Sequence, residues 1–178
     1  MHHRPLLLAL SVLLSFPFTL AADGFSSVAA TGYDGSLWVA GDSGVLRIGR
    51  NGRAISYGED AIGTSTVTSI VADPSGNIFL LGGDGLVRCY SFLDGFLPLE
   101  GLPSGVSALA SNLITGQILA STSDALYSWT SGSRPIQIAA LDLPSGDPVT
   151  SIVPSADGAI WIVSSDCLFR LESGGSPI

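Results

Sequence analysis

An all-β fold built from four repeated units is what this sequence predicts, on three observations. A glycine followed by an apolar run recurs at Gly35 (GSLWVA), Gly76 (GNIFLL), Gly116 (GQILAS) and Gly158 (GAIWIV), at intervals of 41, 40 and 42 residues. Another apolar run begins nine residues after each glycine, at Gly44, Gly85, Ala125 and Cys167, and one more starts nine to ten residues before it, at Phe25, Val67, Val106 and Val149. Turn-forming residues separate the runs, and self-similarity at a fixed period marks a repeat architecture.

Each run holds 4 to 6 residues rich in Val, Ile, Leu and aromatics, as strands do. Turns such as DPSG and SADG precede the second run of a unit, and GDSG and GGDG precede the third, so successive runs pair as antiparallel hairpins. The second run is apolar at consecutive positions, as in Leu37, Trp38, Val39 and Ala40, which predicts cover on both faces. A weaker fourth run follows from Arg53 (RAISY), Phe96 (FLPLE) and Pro135 (PIQIA), and the proline suits an outer edge strand that can spare a ladder hydrogen bond. Four antiparallel strands per unit of about 40 residues is the pattern of a β-propeller blade. The blades are expected at roughly 25–63, 64–103, 104–146 and 147–178. Trp38, Phe79, Leu119 and Trp161 share one register, and packing between blades is their expected role, a sugar-stacking platform being the alternative.

The chain opens MHHRPLLLALSVLLSFPFTLAADG, the basic, apolar and small order of a secretory signal peptide, with residues 1–22 removed and the mature chain starting near Asp23. Ser11, Ser15, Pro17 and Thr19 interrupt an apolar stretch shorter than the roughly 20 residues of a spanning helix. The expectation is a secreted or periplasmic protein with one domain, 23–178, and no membrane span after cleavage. The chain has no lysine, and six mature arginines against fifteen acidic residues give a net charge of −9. Nucleic acid is excluded as a partner for want of a positive footprint. Cys89 and Cys167 fall inside strands of non-adjacent units, so two buried free thiols are expected and no disulfide.

The stretch DGSLWVAGDSGVLRI resembles the two-component-regulator propeller repeat, whose pattern runs Asp-Gly-x-Leu-Trp-x-Gly-Thr-x-x-Gly-Leu-x-Arg, and DGAIWIVSSDCLFRL resembles it nearly as well. Phe79 and Leu119 stand in place of Trp in the middle units, and Ser128 in place of the Arg seen at Arg47, Arg88 and Arg170. The pattern is shared with NHL repeats and with streptogramin-lyase-like propellers, and it covers Phe25 to Leu171. The resemblance implies sensing, scaffolding or ligand recognition, often as the exported part of a longer receptor. Fold alone assigns no activity.

Both histidines, His2 and His3, lie in the leader, which removes Ser-His-Asp and Cys-His sets and a histidine-dependent lyase mechanism. GGDGLV opens a strand and not a helix, so it offers no phosphate cradle. What remains is carboxylate chemistry. Asp42, Asp84, Asp124 and Asp166 fall in the turn between second and third strands and would form a negative rim on one face, with Asn112 the one amide nearby. Oxygen ligands from several blades could hold Ca²⁺, which takes 6 to 8 of them. The preferred reading is that these aspartates make the hairpin turns.

The function expected is therefore an exported propeller module that recognises a protein or small-molecule ligand, without catalysis or cofactor. The alternatives are a metal-assisted hydrolase or lyase using the carboxylate rim, and a fragment of a longer propeller receptor or sensor. The fourth unit stops at ESGGSPI, before an outer strand, which leaves three expected outcomes: a four-bladed ring with a short last blade, an open arc that self-associates with a second copy through its blade edge, or a fragment of a longer propeller, the last two together being favoured over the closed monomer.

Overall fold

The protein is described by a computed structural model over residues 28–32, 34–41, 44–143 and 147–172. The expected signal peptide, Asp42 and the residues after Glu172 lie outside this range. Unit one contributes β1 (Val28–Thr31), β2 (Leu37–Gly41), β3 (Gly44–Ile48) and β4 (Ala54–Tyr57), and a short helix α1 (Glu59–Ile62) follows. Unit two contributes β5 (Val67–Ala72), β6 (Ile78–Gly82), β7 (Val87–Ser91) and β8 (Gly95–Pro98). Unit three holds β9 (Ala108–Asn112), β10 (Gln117–Ser121), β11 (Ala125–Trp129) and β12 (Ile136–Ala140), and unit four β13 (Val149–Pro154), β14 (Ile160–Ser164) and β15 (Leu168–Leu171). Each unit is one antiparallel sheet with its strands in chain order, and the fourth has three strands among the described residues.

The repeated glycine has a backbone cause. Gly35, Gly76, Gly116 and Gly158 take φ of 71°, 80°, 75° and 85°, the left-handed region, and close the turn from first to second strand. Their N–H groups donate to the carbonyls of Gly32, Asp73, Asn112 and Ser155. A Cβ in that conformation costs about 1–2 kcal/mol, so glycine marks every copy.

Units one, three and four share one register in their second hairpin, with Trp38 opposite Arg47, Leu119 opposite Ser128 and Trp161 opposite Arg170. Unit two departs from it: Phe79 pairs with Cys89, and Arg88 faces Leu80. The cause is its turn. Gly82 donates to the Leu86 carbonyl across Gly83, Asp84 and Gly85, whereas Thr122 donates to Ala125 and Ser164 to Cys167 across two residues. One extra residue slips the pairing by one, and a slip of one moves a side chain to the other face. Arg88 is therefore not the counterpart of Arg47 and Arg170 that the repeat alignment makes it. Cys89 takes the vacated place opposite Phe79, and Tyr90, on the same face as Arg88, meets Trp38 of unit one with ring centroids 4.7 Å apart.

The core lies between the sheets as three clusters. Trp38, Ala40 and Val45 meet Ile70, Ile78 and Leu80 between units one and two. Phe79, Leu81 and Val87 meet Leu109, Ile118 and Ala120 between units two and three. Leu119 and Leu126 meet Ile152, Ile160 and Ile162 between units three and four. The two middle second strands, β6 and β10, are thus covered on both faces, as expected, while β2 and β14 alternate between buried and half-buried positions. Helix α1 has no signal in the sequence at four residues, but its Ile62 is 1 % exposed and completes the first cluster.

The innermost strands pack in sequence, β1 on β5, β5 on β9 and β9 on β13. Among the described residues the four sheets follow one another as an arc and do not close into a ring. Cys89 and Cys167 are both free thiols, half-buried where the sequence suggested full burial, and Cys167 sits just before β15 in place of inside it. No described helix is long and apolar enough to cross a membrane.

Candidate functional site

The recurring Asp-Gly and the arginine thirteen residues later form one device. In unit one the Trp38 indole N–H donates to the Ser36 hydroxyl at 2.9 Å, and Ser36 donates to Asp34 at 2.5 Å. Arg47 donates to the other Asp34 oxygen at 2.5 Å while its guanidinium sits 5.3 Å from the Trp38 ring centroid. Unit four repeats it: Arg170 donates to Asp157 at 2.9 Å, 5.6 Å from the centroid of Trp161, and also pairs with Glu172. The turn aspartate, the tryptophan and the arginine thus clamp the first hairpin to the third strand. The sequence carried this signal as an Asp-to-Arg spacing of 13 at Asp34 and Asp157, outside the aspartates it favoured as site residues.

The aspartates of the other turns are spread over separate tasks. Asp84 is held in a fork by Arg88, at 3.0 Å and 2.6 Å, and Arg88 also donates to the Gly63 carbonyl at 2.9 Å. A cation already fills the space before both Asp84 oxygens. Asp124 is exposed and accepts from the Thr122 hydroxyl at 2.6 Å. Asp166 is exposed, and its backbone N–H donates to Asp147. Asn112 turns inward, its side-chain oxygen accepting from the N–H groups of Ile114 and Thr115. Asp42 lies outside the described residues, and among those described no three His, Cys, Asp or Glu side chains are grouped to hold a metal ion.

At the opposite end of unit one, where the turn after β1 lies beside the turn after β3, a cleft of about 500 Å³ opens between Asp34, Arg47, Arg50, Asn51, Arg53 and Ile55. Three of the chain's seven arginines flank it. Asp34 neutralises Arg47, and among the described residues neither Arg50 nor Arg53 has an ionic partner. The cleft is locally positive on a strongly acidic chain.

No family profile and no curated protein matches the sequence. Solved structures do match in fold. The extracellular domain of a hybrid two-component system from B. thetaiotaomicron superposes with a TM-score of 0.66 at 17 % identity, over 82 % of this chain and 20 % of that one. A catalytically inactive virginiamycin B lyase variant from Staphylococcus aureus, solved with quinupristin, gives 0.68 at 13 %, over 88 % of this chain and 55 % of the lyase. A WD40 β-propeller domain gives 0.60 at 20 %, over 83 % and 49 %. The fold is a β-propeller. This chain spans from a fifth to about half the length of the propellers it matches.

In the propeller the clamp in blade one is sensitive to acid. The Asp34 carboxyl is held down to about 2, first by the Ser36 hydroxyl, then by the Ser36 N–H, with Arg47 adding. Asp84 is lowered too, chiefly by Arg88. The folded values lie below the ordinary value of 3.8, so the stabilisation is complete above about pH 4 and is lost as the pH falls toward 2. Thermal melts at stepped pH are expected to show Tm falling across that window, and Asp34→Asn to flatten part of the fall. An unchanged slope in the variant would remove Asp34 from the acid response.

Proposed function

We propose that this protein is an exported β-propeller module that recognises a partner carrying anionic groups and carries out no catalysis. Three of the matched structures are extracellular domains of two-component-system or one-component-system proteins, which supports an exported sensing or recognition role. The observation that carries the non-catalytic reading is the absence of histidine between Arg4 and Ile178. The matched lyase structure is a variant made catalytically inactive by changing a single histidine to alanine, so a lyase of that kind depends on a group that residues 5–178 do not contain. The partner's anionic groups fit the cleft of Arg50 and Arg53, where guanidinium forks suit carboxylate, sulfate or phosphate.

Thermal melts test the reading in two arms. With excess calcium chloride or EDTA, Tm is expected to stay fixed. A calcium-dependent rise abolished by Asp124→Ala with Asp166→Ala would instead support the metal-assisted hydrolase or lyase. With inorganic phosphate, Tm is expected to rise in the natural chain and not in Arg50→Ala/Arg53→Ala. Equal responses in the two would remove the cleft from recognition.

A further inference from the structure

We propose that two copies of this chain dock head to tail, the outer face of blade four on the outer face of blade one, and close an eight-bladed ring. The argument starts from one register position. Val45, Val87 and Leu126 stand on the face that each blade turns to the next, and they are 2 %, 3 % and 0 % exposed. Leu168 is their counterpart in blade four and is 62 % exposed. Around it on the same face lie Val163 and Trp161, both half-buried, and Val153, 49 % exposed. In blade one the equivalents Ala40 and Trp38 are 0 % and 2 % exposed.

The other end of the arc shows the reciprocal lack. The face that receives a preceding blade is built by Ile78 and Leu80, by Ile118 and Ala120, and by Ile160 and Ile162, all buried. Leu37 and Val39 hold those positions in blade one and are only half-buried, with Leu46 paired beside Val39. The two open faces are therefore the two halves of an interface that the chain already makes three times. The missing neighbour of blade four is a blade whose receiving face is built as those of blades two, three and four are. A second copy can supply it, since its blade one offers the surface that blade four lacks.

Closure under a two-fold axis places each such contact twice, blade four of either copy on blade one of the other. Eight blades lie within the range that propellers adopt, and closure removes both exposed edges. Arg170 brings no unpaired charge to the contact, being held by Asp157 and Glu172 as Arg47 is by Asp34.

Light scattering on the purified chain, expressed with its own leader, is expected to give twice the mass of one chain over a wide concentration range. Leu168→Lys and Leu46→Glu alter opposite faces at exposed or half-buried sites, and each alone is expected to give a folded monomer by circular dichroism. Mixing the two variants is expected to restore a one-to-one complex, because one natural interface re-forms and the other places lysine against glutamate. A natural chain that stays monomeric, or that grows beyond two copies, overturns the ring. Loss of the dimer in Leu168→Lys with none in Leu46→Glu overturns the head-to-tail arrangement in favour of blade four on blade four.

Discussion

Truncating Trp38 to alanine is expected to cost about 3–5 kcal/mol, the range for a buried aromatic whose site cannot collapse. Its ring is 2 % exposed and is enclosed by Tyr57 from its own blade and by Tyr90 and Phe96 from the next, with centroids 5.9, 4.7 and 6.2 Å away. Three further contacts go with it: the bond to Ser36, the stacked Arg47 guanidinium and the buried Ile62 of α1 in the same cluster. The loss reaches across the boundary between blades, so it weakens cooperation between units as well as the fold of one. The comparison is Trp161→Ala in the Leu168→Lys background, where the outer face of blade four stays open. That ring is half-buried and has no blade beyond it, so the cost is expected to be under half as large. Urea denaturation of both variants measures the difference. Equal costs would mean that the aromatic of each repeat stabilises its own sheet and not the contact to the next.

Asp84→Ala is expected to cost about 2–3 kcal/mol, well above a surface ion pair, because it strands a buried cation. The Arg88 side chain is 5 % exposed, and without Asp84 it keeps only the carbonyls of Gly63 and Leu86. The partial exposure of Asp84, 36 %, places the cost below that of a fully buried pair. Adding Arg88→Leu to Asp84→Ala is expected to recover much of the loss, since the uncompensated charge goes with the arginine. Asp124→Ala and Asp166→Ala, at exposed positions of equivalent turns, are expected to cost under about 1 kcal/mol. Denaturant midpoints across this set separate a structural ion pair from a rim of equal carboxylates. Four similar values would return Asp84 to the rim.

The candidate residues were legible unevenly. Repetition drew attention to the aspartates between second and third strands, yet in space they do different things, because a turn residue is recruited by whatever cation or donor the local loop brings near it. Asp84 meets Arg88 only because its loop carries three residues where those of Asp124 and Asp166 carry two. The cleft of Arg47, Arg50 and Arg53 was missed altogether, although three arginines within seven residues of an otherwise acidic chain are a visible charge cluster.

Sequence by itself determined the strands, their hairpin order, the outer position of the proline-bearing runs and the four-unit propeller. Those features rest on short-range chemistry that every unit repeats, a left-handed glycine at the first turn and apolar runs of strand length, to which units one and four add an aspartate placed to meet an arginine thirteen residues on. Tertiary structure alone decided which face each side chain occupies and whether that face is covered. The slip in blade two moves Arg88 and Tyr90 across the sheet through a single loop residue, which an alignment on the glycines absorbs without trace. Val45 and Leu168 hold the same place in the repeat, one sealed and the other open to solvent, because burial depends on whether another blade stands beyond the sheet, and no residue within the unit encodes that.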